Sequence, residues 1–300
     1  MLDDQDLVKQ IEQYQQAAWL DLRSQSDNQI AHLVNSANIP VEHLEQRVSE
    51  LPHKKIPLVL IGSEKQINQA ELFLKTRKYQ IATRVITDKI VSEDWLELVK
   101  TNLAETDLSQ HVLWEANLFL QQRIESIESR FSGNLKVLDI GCGSGREAVY
   151  LAKRGWQVVA VDNQNEAIQR TNNLAQANNV SIEAIEADII QGGFSAPDEI
   201  FDLIIMFRFL HRPLFERIQK WLKPGGTFLI ETFSIEAAKF GKPRRKHLML
   251  KPNEMKQYFT GLTVSEDFHR TLSDGRPLIG CFVNKTDTSG ELRVTSKIKS

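Results

Sequence analysis

Two observations predict an α/β protein of two domains, the second a doubly wound sheet. Within the first hundred residues a β-rich run, a helical pattern and a second β-rich run follow one another, which is the order of a small parallel unit. From Leu135 a strand breaks into Gly141-Cys142-Gly143-Ser144-Gly145 and continues as a helix, which is the ligand-binding corner of an open sheet. A chain of 300 residues holds two cores, and its composition (41% hydrophobic, 25% charged, 37 Lys+Arg against 39 Asp+Glu) is that of an ordinary globular protein. Fibres, coiled coils and strongly basic nucleic-acid binders are excluded. Apolar stretches such as Ile56 to Ile61 and Leu203 to Phe207 fall well short of the roughly 18 residues of a membrane span, and the start MLDDQDL is acidic where a signal peptide is basic. A cytoplasmic protein is expected, in agreement with only two cysteines, Cys142 and Cys281.

The first domain is expected over residues 1–107. It opens with a helix, Gln5 to Gln16, and an apolar run, Ala17 to Leu22. Ile56 to Ile61, bounded by Pro57 and Gly62, reads as a strand, Gln66 to Leu74 as a helix and Ile81 to Ile86 as a strand. Trp19-Leu20-Asp21-Leu22-Arg23, the run Ala31 to Pro40, and Pro57 to Gly62 with the loop after it resemble a rhodanese domain. The resemblance implies a reactive cysteine after Leu58 to Ile61, in a loop whose N–H groups stabilise a persulfide. Gly62 stands there, no cysteine precedes Cys142, and the domain is expected to be inactive in sulfur transfer. Two roles stay open: a packing module, or an anion sensor using the N–H groups of Gly62 to Ile67. Asp21 and Arg23 are expected to form an internal ion pair.

Ser92 to Arg130 reads as mostly helical, with the domain boundary near Asp107 to Val112. Trp114 and Phe119 are at the spacing of core residues, with a lid as the alternative.

The second domain, expected over residues 112–285 with a polar tail from 286 to 300, starts at the strand Leu135 to Ile140, the glycine loop and a helix from Arg146 to Lys153. The loop departs from a dinucleotide fingerprint, because the last glycine falls one residue early at Gly145. Asp139 would repel a pyrophosphate and suits a ligand with an ammonium group. The strand Gln157 to Val161 ends at Asp162, 21 residues after Gly141 and placed for two ribose hydroxyls, and Ile182 to Ala187 ends at Asp188, placed for an adenine amino group. Three strand-end acids after a glycine corner fit S-adenosylmethionine.

A strand at Phe201 to Met206, a helix at Leu214 to Leu222, the turn Lys223-Pro224-Gly225-Gly226, a strand at Thr227 to Glu231 and a late pair near Leu262 to Glu266 and Leu278 to Val283 complete the pattern. Here the sequence resembles the class I S-adenosylmethionine-dependent methyltransferases, and Gly141 to Ala152 is similar to their tellurite-resistance group. The fold implied is α/β, a Rossmann-like methyltransferase sheet preceded by the small parallel rhodanese-like domain. The resemblance implies S-adenosylmethionine as cofactor, with Asp139, Gly141, Cys142, Gly143, Ser144, Gly145 and Arg146 at its methionine side. It puts Asp162 and Asn163 at the ribose, Asp188 and Ile189 at the adenine, and Phe207 beside them. The late strands become an antiparallel hairpin at the sheet edge.

Methyl transfer from a sulfonium is an in-line displacement that needs positioning more than a base. In Met206-Phe207-Arg208-Phe209-Leu210-His211-Arg212-Pro213, His211 is a candidate base and Arg208 or Arg212 a candidate anion holder, the alternative being a helix start. Six basic residues lie between Lys239 and Lys251, a run that suits an anionic substrate, RNA or plain solvation. The expected activity is methylation of a small molecule, a chalcogen oxyanion or thiol, with no membrane partner, no metal and nucleic acid disfavoured. An RNA methyltransferase and a non-catalytic sensor of S-adenosylmethionine or an anion are the alternatives.

Overall fold

The computed structural model describes residues 9–10, 13–106 and 111–286. Half of the helix expected at Gln5 to Gln16 lies outside these residues, as do the tail from 287 and part of the expected domain boundary. Two compact units divide at Glu115 and Ala116. The division falls later than 107–112 because Leu113 packs on the core formed by Leu20, Leu58, Leu60, Ile67 and Leu74.

The first unit holds β1 (Ala18–Asp21), α1 (Gln25–Ile30), β2 (His32–Leu33), β3 (Ser36–Asn38), β4 (Leu58–Gly62), α2 (Glu64–Thr76), β5 (Ile81–Ile86), α3 (Ser92–Lys100) and β6 (Ala104–Glu105). Strands β3-β1-β4-β5 form a parallel sheet in that order, so the expected strand, helix, strand unit is present and extended by two strands. Every residue of β4 is buried, which explains why it reads as a continuous apolar run rather than an alternating one. Asp21 and Arg23 form the expected internal pair: Arg23 Nη2 donates to Asp21 Oδ2 at 2.6 Å, and the guanidinium lies over Trp95 at 4.5 Å.

The loop after β4 does not keep its N–H groups for an anion. Ser63 N–H donates to Gln66 Oε1, Glu64 N–H to Asp88 Oδ2 and Gln66 N–H to Ser63 Oγ. The helix start is closed by the protein's own capping box and by Asp88, which corrects the expectation of an open cradle.

The stretch from Ser92 to Arg130 is not one helical linker. Helix α3 stops at Thr101, Asn102 turns the chain at φ 58°, and β6 then pairs antiparallel with β2. Helix α4 (Leu118–Glu128) begins in the second unit, where Phe119 is fully buried and stacked on Phe268 with centroids 4.7 Å apart. Phe119 is therefore core and not part of a lid.

The second unit continues with β7 (Lys136–Ile140), α5 (Arg146–Lys153), β8 (Gln157–Asp162), α6 (Asn165–Ala177), β9 (Glu183–Glu186), β10 (Phe201–Phe207), α7 (Leu214–Trp221), β11 (Leu222–Phe233), α8 (Met255–Tyr258), β12 (Thr263–Thr271) and β13 (Pro277–Asn284). Its seven-stranded sheet has the order β12-β13-β11-β10-β7-β8-β9. Only β13 is antiparallel to its neighbours, so the late hairpin lies at the edge as expected. The strand order reverses between β7 and β10, and this opens a crevice at the carboxyl ends of the central strands. Lys223 to Gly226 is a bulge inside β11 rather than a turn before it, since Phe201 pairs with Leu222 and Leu203 already pairs with Thr227.

Candidate functional site

The site grows from the junction of β7 and α5. Gly141, Gly143 and Gly145 all have positive φ, a conformation costly for residues with a Cβ. Gly145 is the N-cap of α5, and a Cβ there would lie 2.9 Å from Thr171 Cα, so only glycine lets α5 pack on α6. At Gly143 a Cβ would meet nothing within 4 Å, which leaves that face open to a ligand. Gly143 N–H donates to Asp162 Oδ2 at 3.0 Å, so β8's terminal acid also clamps the loop.

Asp139 is 3% exposed, and its Oδ2 has no hydrogen-bond partner. Burial first, and then the neighbouring carboxylates Glu147 and Asp162, push Asp139 well above the usual carboxylate range. Glu147, in the first turn of α5, is pushed up mainly by burial and accepts the Asn117 N–H at 3.0 Å. An orphaned acid beside two others would gain a partner from a cation, and an amino-acid ammonium next to a sulfonium suits it. The donor set therefore fits S-adenosylmethionine and disfavours a pyrophosphate.

The other expected cofactor residues surround this corner. Cys142 is buried, with Sγ 3.6 Å from Thr171 Oγ1, and burial pushes its thiol up to about 12. Ser144 and Arg146 flank the αL turn and are partly buried. Asp162 also accepts Gln164 N–H through Oδ1, and Asn163 follows it exposed. Asp188 lies two residues past β9 and is exposed; its Oδ1 accepts the N–H groups of Ile190 and Gln191, while Ile189 is buried beneath. Phe207 ends β10, half-buried.

Beyond β10 the chain turns at Arg208 with φ 58°, a backbone state that a residue with a long side chain rarely adopts. Its N–H donates to the Glu231 carbonyl, and its Nε is 3.5 Å from Glu231 Oε1. Glu231 is fully buried and is held by Arg270, whose Nε donates to Oε2 at 2.7 Å and Nη2 to Oε1 at 2.9 Å. Arg208 and Arg276 both stack on Phe233, at 5.3 and 4.7 Å. Burial, then the cations Arg270 and Arg276, hold Arg208 below the ordinary arginine range against the pull of Glu231. Arg270, Arg276 and Glu231 escaped the sequence reading because only the β11 and β12–β13 register brings them to Arg208.

The guanidinium of Arg212 is engaged within the protein. It ties the basic run to the sheet, donating to the carbonyls of His247 and Met249 and to Glu254. His211 sits at the entry to α7, where its carbonyl accepts Leu214 N–H at 3.1 Å. Among the described residues no cluster of metal-ligating side chains occurs, and no helix is long and apolar enough to cross a membrane.

The second unit is an S-adenosylmethionine-dependent methyltransferase domain, and S-adenosylmethionine is its cofactor. Residues 131–276 match the family model described as a methyltransferase domain. An uncharacterized Schizosaccharomyces pombe protein is 27% identical over 259 residues, 71% of this chain and 76% of that protein. The ubiquinone biosynthesis O-methyltransferase of Rickettsia akari is 26% identical over 121 residues, and the match spans 39% of this chain and 47% of that enzyme, about half its length. Among solved structures, TehB from Haemophilus influenzae is similar, with 19% identity and a TM-score of 0.45 over 61% of this chain and 73% of that one.

Proposed function

We propose that the chain methylates a small anionic acceptor, a chalcogen oxyanion or a thiol bearing an acidic group. The observation that supports this most is the pair Arg208 and Arg270 on a single buried carboxylate, Glu231, at the carboxyl end of β10 and β11, with Arg276 beside Arg208 on Phe233. Three guanidinium groups exceed what Glu231 and the Arg276 partner Asp274 neutralise, and an anion seated there relieves the excess. S-adenosylmethionine supplies a methyl carbon activated by its sulfonium. Asp139 and Glu147 hold its ammonium, Asp162 its ribose and Asp188 its adenine edge, while Arg208 and Arg276 orient the acceptor. With the cofactor bound, Arg208 and Arg276 would hold the acceptor so that its lone pair faces the methyl carbon in line with the sulfonium. Soft nucleophiles need no base here; His211 is the group available to an acceptor that must lose a proton.

For the first unit we propose a rhodanese-like module without a nucleophile, on the residues Trp19 to Arg23 and Ala31 to Pro40 and on Gly62 at the end of β4. A screen of selenite, tellurite and small thiols with methyl-labelled cofactor tests the proposed activity. Transfer to at least one anionic acceptor, reduced at least tenfold by Arg276→Gln, is expected; transfer only to uncharged acceptors sinks it.

A further inference from the structure

Asn117 is 9% exposed, and besides its carbonyl, which accepts Gln121 N–H within α4, it makes three further polar contacts. Its backbone N–H donates to Glu147 Oε1 at 3.0 Å, at the donor end of the site. Its Oδ1 accepts Phe119 N–H at 2.8 Å and caps α4. Its Nδ2 donates to Glu231 Oε1 at 2.8 Å, at the acceptor end.

Capping alone does not call for asparagine, because Ser and Asp cap a helix about as well. Neither of those offers a cap acceptor together with an N–H donor on one side chain. The donor matters for what Glu231 does next. Oε1 takes Asn117 Nδ2 at 2.8 Å and Arg270 Nη2 at 2.9 Å, while Arg208 Nε is held at 3.5 Å, a longer ion-pair contact with the same oxygen. Without the Asn117 amide, a fully buried carboxylate oxygen loses a partner, and the nearest available donor is Arg208.

We infer that Asn117 is a positioning residue: by occupying Glu231 Oε1 it holds the Arg208 guanidinium at a long contact with that carboxylate and leaves its remaining donors to the acceptor. The inference rests on the reading of the arginine cluster as the acceptor site. Its test is Asn117→Ser, which keeps the cap and the backbone N–H to Glu147 and removes only the amide donor. The readout is the rate at which phenylglyoxal modifies Arg208 in the full chain, mapped by mass spectrometry, beside calorimetry with S-adenosylhomocysteine. In Asn117→Ser, modification of Arg208 is expected to slow at least threefold as it pairs with Glu231, with cofactor-product affinity changed less than twofold. An unchanged or faster Arg208 rate overturns the inference, and so does an equal loss of S-adenosylhomocysteine affinity, which marks a general loosening of α4. Should the serine variant fail to fold, Asn117→Thr, which also caps a helix and lacks the amide donor, carries the same comparison. Selenite protection of Arg208 in the wild type is read separately. If selenite gives no protection, the acceptor reading loses its support, while the variant comparison still decides the role of Asn117.

Discussion

Asp139 and Glu147 shape the pH response of cofactor binding. Both carboxyls are pushed up in the folded chain, chiefly by burial, so the protonated forms are favoured and the fold loses stability as pH rises from the ordinary carboxylate value toward their raised ones. A cationic ligand favours the carboxylates, so its binding releases protons and tightens as pH rises through that window. Calorimetry of S-adenosylmethionine binding in two buffers of different ionisation enthalpy is expected to show net proton release, smaller in Asp139→Asn; proton uptake would contradict the assignment. Asp162→Ala removes the proposed ribose acceptor and is expected to weaken S-adenosylhomocysteine binding about 30- to 140-fold, the equivalent of roughly 2–3 kcal/mol for charge-assisted bonds. Gly145→Ala forces a Cβ onto the Thr171 backbone at φ 77°, and urea unfolding should show a loss of about 2–4 kcal/mol from the left-handed backbone and overpacking together.

At the scale of elements, the basic run between Lys239 and Lys251 decides between a small anion and RNA. Arg212 stitches its second half down, and Leu250 N–H donates to the Phe233 carbonyl, so the run is a fixed rim with Arg244 and Arg245 exposed. Phe240 is the only aromatic side chain in it, which gives charge without a platform for stacking bases. Bulk tRNA titrated across a salt series is therefore expected to bind weakly near 0.15 M salt, with Arg244→Glu, Arg245→Glu changing little. Sub-micromolar binding lost in that variant would favour the RNA reading. The elements also show what the sequence can disclose. The strands with their terminal acids were legible because each acid follows its own apolar run, a local pattern. Residues joined by the sheet were not: Asn117 lies 114 positions from Glu231, and Arg270 lies 39 from it, so no window of sequence holds the acceptor end together. The continuous β11 was hidden for another reason, since Lys-Pro-Gly-Gly is a turn signal and here the chain bulges and resumes the same strand.

At the scale of the whole chain, thiol chemistry separates the two units' possible activities. Sulfur transfer needs an exposed thiolate, and the chain's two cysteines both lie in the methyltransferase unit. Both are buried, and with Cys142 held up to about 12 its thiolate is scarce at any pH at which the protein is handled. Dithionitrobenzoate is expected to find no fast-reacting thiol in the native chain between pH 7 and 9 and two after denaturation. Thiosulfate sulfurtransferase assays on the same sample should stay at the blank. Gly62→Cys is expected to add a slow, buried thiol without turnover, because the N–H groups that would hold a persulfide are already taken by Gln66, Asp88 and Ser63. Turnover in that variant would show that these bonds open easily, and would restore to the first unit the anion-binding loop that its present hydrogen bonding closes.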